Sequence, residues 1–121
     1  VLAMLSRELY TVERIEALLA RARKHLAQLR LHHVRLKHTD GHRGLPEAAP
    51  FDTIIVAAAA PRIPQALLDQ LAPSGRLILP LGGAAAQDQV LCLIERSSDD
   101  TSFKESRYDA VRFVPLVTGV E

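Results

Sequence analysis

Two runs of apolar residues constrain the fold of this chain more than any other feature. "TIIVA" (residues 53–57) and "LILPL" (77–81) place apolar side chains at successive positions. A strand with one wet face alternates apolar and polar residues. A strand covered on both faces does not, and such double burial belongs to parallel sheets flanked by helices. The segment between the runs, "IPQALLDQL" (63–71), has helical spacing. Pro64 suits a first helical turn, where the N–H has no intrahelical partner. Strand, helix and strand in this order bring the chain back parallel to itself. Residues 57–60 are all alanine and stop at Pro61. Something must approach them so closely that no larger side chain fits.

The rest of the chain continues the alternation. Residues 1–8 read as the end of a helix and 9–13 ("LYTVE") as a short strand. In 14–29, Ile15, Leu18, Leu19, Ala22, Leu26 and Leu29 fall on one helical face, opposite Arg and Lys. Residues 34–39 alternate as a strand, and "DGHRGLPEAAP" (40–50) is punctuated as a loop. "APSG" (72–75) reads as a turn before the strand 76–82. Residues 89–96 and about 103–117 read as an antiparallel hairpin closing one sheet edge. The expectation is an α/β fold, a doubly wound Rossmann-like sheet, in a single domain over 1–121.

Composition narrows the function classes. The net charge is +1, and no apolar run approaches the roughly 20 residues of a membrane span. The single cysteine, Cys92, cannot make an internal disulfide, which suits a reducing, cytoplasmic location. In the apolar run "VLCLIE" it reads as a buried structural thiol. The chain opens at Val1 in mid-pattern, with no capping residue before its first helical face, so an upstream segment is expected.

In doubly wound sheets, ligands bind at the carboxyl ends of strands. That rule selects Glu13, Asp40 with Gly41, residues 57–61 and residues 80–83 (which include Gly83). A carboxylate at Glu13 can accept both hydrogen bonds of a ribose diol, or simply sit at the positive end of the following helix. Asp40 can accept from an adenine amino group while Gly41 lets the backbone approach, or the pair can be an ordinary turn. The five histidines, His25, His32, His33, His38 and His42, lack a metal-ligand framework, so no metal is expected. Arg21, Arg23, Lys24, Arg30, Arg35 and Lys37 form a basic stretch without aromatic residues, better read as a solvated helix face than as a nucleic-acid surface. No Ser-His-Asp or Cys-His arrangement is indicated, and no catalytic side chain is assigned.

Taken together, "LYTVERIEALLARARKHLAQL", "TDG", "FDTIIVAAAAPRIPQALLDQLAPSGRLILPLG" and "VRFVPLV" resemble the protein-L-isoaspartate O-methyltransferases over nearly the whole chain. The resemblance implies an S-adenosylmethionine-dependent methyltransferase fold and transfer of a methyl group to isoaspartyl carboxylates in damaged proteins. It implies that Glu13 and Arg14 of "VERI" lie at the ribose and Asp40 and Gly41 at the adenine. It implies that Ala58, Ala59, Pro61 and Val117, with the "FVPL" segment (113–116), line the isoaspartyl peptide.

Three departures accompany the match. The family's glycine-rich "GxGxGY"-type turn and its hydroxyl-bearing substrate loop have no counterpart in these 121 residues, and "AAA" stands where the family has "TAA" or "GAA". The chain is therefore expected to correspond to the family's C-terminal portion, N-terminally truncated. Its activity should be impaired, and it should self-associate through exposed strand edges. The alternative is a non-catalytic Rossmann-like remnant acting as a binding or oligomerising module. A dinucleotide-dependent oxidoreductase would need the absent G-x-G-x-x-G turn. Neither nucleic acid nor membrane is an expected partner.

Overall fold

The computed structural model describes residues 1–82 and 88–121. The chain divides into two compact units, Val1–Gly41 with Val117–Glu121, and His42–Leu116.

The first unit contains α1 (Leu2–Leu5), β1 (Leu9–Glu13), α2 (Glu16–Gln28) and β2 (Val34–His38). The two strands pair in parallel, in register from Leu9 opposite Val34 to Glu13 opposite His38. Helix α2 packs on both strands. It carries Glu16 in its first turn, where the helix dipole favours a carboxylate. It ends in a Schellman arrangement: the N–H of Arg30 donates to Ala27 O and that of Leu31 to Leu26 O. Arg30 takes the left-handed position, φ 56°, that glycine usually fills. The apolar face read from the sequence is less buried than expected. Leu19 is buried, but Leu18 and Leu29 are 41% and 68% exposed. A sheet of two strands is narrower than that face, and Leu29 is the C-cap, past the last helical turn.

The second unit contains β3 (Phe51–Ile55), α3 (Gln65–Asp69), β4 (Leu71–Leu81), β5 (Gln89–Arg96) and β6 (Phe103–Val111). They form a sheet in the order β3-β4-β5-β6. β3 and β4 are parallel, and the last two pairings are antiparallel, as the hairpin reading requires. Four boundaries differ from the sequence reading. β3 ends at Ile55, and Asp52, Thr53 and Ile55 are exposed, so this strand is not covered on both faces. It is the terminal strand of its sheet, with β4 as its only partner among the described residues. α3 is shorter than 63–71, because Pro64 is its N-cap and Leu71 already pairs with Phe51. The "APSG" turn is absorbed into β4 as an irregularity, with Ser74 at φ 64°. β6 stops at Val111, and residues 112–117 leave the sheet.

The core of this unit is Ala60, Leu67, Leu71, Leu77, Leu79, Cys92 and Ile94, flanked by Ile54, Val56, Ile63, Leu68, Leu81 and Leu116. β4 behaves as "LILPL" promised: Leu77 and Leu79 are wholly buried. Cys92 is buried opposite Leu79. Burial pushes its thiol up to about 11, and the nearby Glu105 carboxylate, accepting from Sγ at 3.4 Å, adds to the effect. The thiolate is the reactive species. Cys92 is therefore expected to resist a disulfide reagent at pH 8 in the folded protein and to react at once in urea. The thiol holds its proton more tightly folded than unfolded, so its stabilising contribution is complete below about 9 and is lost as pH rises through about 11. Fast native labelling at pH 8 would contradict this.

Candidate functional site

Parallel pairing decides where the first group of candidate residues lies. Glu13 is the last residue of β1, opposite His38 at the end of β2, and the N–H of Thr39 continues the ladder to Glu13 O at 3.2 Å. Asp40 follows immediately. Glu13 and Asp40 therefore stand at the same carboxyl end of this sheet, the end at which doubly wound folds take ligands.

The two carboxylates already make different local contacts. Glu13 Oε1 accepts from the N–H of Ile15, the N-cap of α2, at 3.1 Å. Asp40 Oδ2 accepts from the N–H of Gly119 at 2.9 Å. Gly119 sits at φ 80°, where a side chain would strain the backbone, so the residue type suits this contact. The segment Val117–Glu121 is held here by further bonds. Arg14 Nε donates to Gly119 O at 3.2 Å, and the Glu121 N–H donates to Arg14 O at 2.7 Å. The Glu16 N–H donates to Glu121 O at 2.8 Å. The Arg14–Glu121 ion pair, 3.2 Å, has an exposed acid and contributes little by itself.

His38, weighed in the sequence only with the other histidines as a metal ligand, belongs to this strand end. Its Nε2 lies 2.9 Å from Arg14 O and 3.1 Å from Glu121 O, which ties the end of β2 to the β1–α2 junction. The strand-end rule could have found it, since it faces Glu13 across the register. Among the described residues, no three His, Cys, Asp or Glu side chains are grouped to hold a metal ion.

The alanine run belongs to the second unit, and its packing is of two kinds. Ala57 is exposed, Ala58 half-buried, Ala59 and Ala60 buried, and Pro61 exposed. The Ala59 N–H donates to Val114 O at 2.7 Å, and the Leu116 N–H donates to Ala59 O at 2.8 Å. On the next residue, the Ala60 N–H donates to Pro80 O at 3.2 Å, and the Gly82 N–H donates to Ala60 O at 3.0 Å. The backbones approaching Ala59 and Ala60 are thus the chain's own, from 114–116 and from the end of β4. Ala58 and Pro61 retain surface. Val117, 45% exposed, follows Leu116 but belongs to the first unit. Pro80 is buried, and Gly83 lies outside the described residues.

Buried Gln70 fixes the loop before β3. Its Oε1 accepts from the Leu45 N–H at 2.9 Å, and its Nε2 donates to Arg43 O at 2.8 Å. Gly44, at φ 63°, passes so close that a Cβ there would collide with the Gln70 amide. Gly44→Ala should therefore cost about 1–3 kcal/mol, combining left-handed strain with a broken buried hydrogen-bond pair. Urea unfolding that matches wild type would contradict this.

The family model described as protein-L-isoaspartate(D-aspartate) O-methyltransferase matches residues 1–121. A protein-L-isoaspartate O-methyltransferase of Aromatoleum aromaticum is 60% identical over the whole chain, which covers 53% of that relative. The enzyme of the same name from an Azoarcus species is also 60% identical, with 54% of it covered. The chain spans about half the length of the curated relatives it matches. Among solved structures, a protein-L-isoaspartate O-methyltransferase from Plasmodium falciparum, in complex with S-adenosyl-L-homocysteine, superposes with a TM-score of 0.75. That match has 24% identity and covers 93% of this chain and 53% of the other. A second structure of a protein-L-isoaspartate O-methyltransferase gives a TM-score of 0.80 at 24% identity, over 89% of this chain and 33% of the other. These likenesses establish the Rossmann-like methyltransferase fold.

Proposed function

This chain belongs to the protein-L-isoaspartate(D-aspartate) O-methyltransferase family, and we propose that it serves S-adenosylmethionine-dependent methylation of isoaspartyl carboxylates in damaged proteins. The observation that carries the proposal is the parallel register that brings Glu13 and Asp40 to one carboxyl end of β1–β2.

The residues at that end suit a nucleoside. The Glu13 carboxylate offers acceptors for the two ribose hydroxyls, with Oε1 already bonded to the Ile15 N–H. Arg14 belongs to the same junction. Asp40 accepts an N–H in this structure, from Gly119, and an adenine amino group would ask the same of it. Gly41, without a side chain, lets the base approach the backbone. The bound donor supplies an electrophilic methyl group. On the acceptor side, Ala58 and Pro61, which retain surface, would meet the peptide beside Ala59, whose N–H and C=O are already taken by Val114 and Leu116 of the chain itself. An isoaspartyl carboxyl is already ionised near neutral pH, so no strong base is required of this chain. Its task is positioning.

A buried, lone Cys92 suits the cytoplasmic location in this reading. The structure contains no helix long and apolar enough to cross a membrane among the described residues. Self-association through strand edges belongs to the same reading, because β3 is the last strand on its side of the sheet. Sedimentation would reveal it as a mass above one chain.

The test joins calorimetry with S-adenosylhomocysteine to an assay of methyl-ester formation on an isoaspartyl peptide. Binding with ester formation supports the proposal. Binding without turnover favours a non-catalytic binding module. Absence of binding removes the nucleoside assignment.

A further inference from the structure

We propose that Gln89 is a positioning residue that presets the peptide-side strip formed by Ala58, Ala59 and residues 113–116, an inference that rests on the peptide reading given above. Gln89 opens β5 and is only 5% exposed. Its backbone pairs with Val111, the last rung of the β5–β6 ladder. Beyond that rung the chain leaves the sheet, and the Gln89 side chain takes over. Oε1 accepts from the Phe113 N–H at 2.7 Å, and Nε2 donates to Phe113 O at 3.1 Å. A primary amide carries one acceptor and paired donors in the layout of a peptide group, so the side chain supplies the rung that the strand no longer can.

The next contacts are made by Ala59, to Val114 O and from the Leu116 N–H. Residues 113–116 are thereby held extended from both directions. Their side chains are not consumed by this: Val114 is 69% exposed and Phe113 37%. A strip ordered beforehand spares a peptide the cost of ordering it on binding. Without the amide, the part-buried N–H and C=O of Phe113 lose their partners.

Two variants separate positioning from packing. Gln89→Met keeps the volume and removes both bonds. Gln89→Glu keeps an acceptor for the Phe113 N–H but sets an oxygen against Phe113 O. Anisotropy of a labelled isoaspartyl peptide and its aspartyl twin is measured beside S-adenosylhomocysteine calorimetry and amide exchange at Phe113 and Leu116. Both variants should bind the isoaspartyl peptide about tenfold more weakly and exchange faster at both amides, the scale of one or two lost hydrogen bonds. Cofactor-product affinity should stay within about twofold, because the nucleoside contacts assigned above do not involve Gln89. Ile94→Val loosens the same core without touching the strip and should leave peptide affinity unchanged. Wild-type peptide affinity in both Gln89 variants overturns the proposal. So does a parallel fall in both affinities, which marks general loss of fold. If the unaltered protein binds S-adenosylhomocysteine but does not distinguish the two peptides, the peptide reading fails and the role of Gln89 fails with it.

Discussion

Leu79→Ala is expected to lower the unfolding free energy by about 2–5 kcal/mol, the range for emptying a large aliphatic side chain from a packed core. Leu79 has no exposed surface and lies mid-strand in β4, opposite Cys92, among Leu77, Leu71 and Ile94. β4 is central to its sheet, with β3 on one side and β5 on the other. The same strand supplies the Pro80 carbonyl to Ala60, so the alanine run rests on it. Urea unfolding should show a lower midpoint with an unchanged slope. A midpoint equal to wild type would mean that this core is not the one that stabilises the chain.

Glu13→Ala should weaken S-adenosylhomocysteine binding by about 1–3 kcal/mol, the range for losing hydrogen bonds to a charged group. The competing role for Glu13 is visible in its contact with the Ile15 N–H at the start of α2. Glu13→Gln distinguishes the two, because the amide can still accept from Ile15 but lacks the charge that strengthens bonds to ribose hydroxyls. The expected result is weaker binding in both variants, with a stability loss only in the alanine variant. Equal stability losses with unchanged affinity would leave only the helix-start role.

The residues that proved readable are those whose pattern repeats a local rule. β1 has the bounds expected from "LYTVE", and the strand-end rule points to Glu13 and Asp40 without any tertiary contact. β5 likewise begins and ends as read. The misread boundaries share a cause. "TIIVA" has the composition of a doubly covered strand, yet Thr53 and Ile55 are exposed, and composition does not reveal which layers pack on a strand's faces. "APSG" has turn chemistry, yet Leu71 pairs with Phe51 before it and Arg76 with Thr53 after it, so it stays within β4 as an irregularity.

By itself, the sequence determined the α/β class, the family, the buried character of β4 and the strand ends worth examining, because periodicity, punctuation and motif are all local along the chain. Only the tertiary structure decided what lies against those ends. Gly119 reaches Asp40 from 79 residues away, and Gln89 reaches Phe113 from 24. Ala59 and Ala60 are small because the chain's own backbone passes on either side of them. Such contacts join residues that no local pattern relates. Buried N–H and C=O groups must find partners wherever the folded backbone brings them, and a polar side chain such as Gln89 reads as a surface residue until folding encloses it.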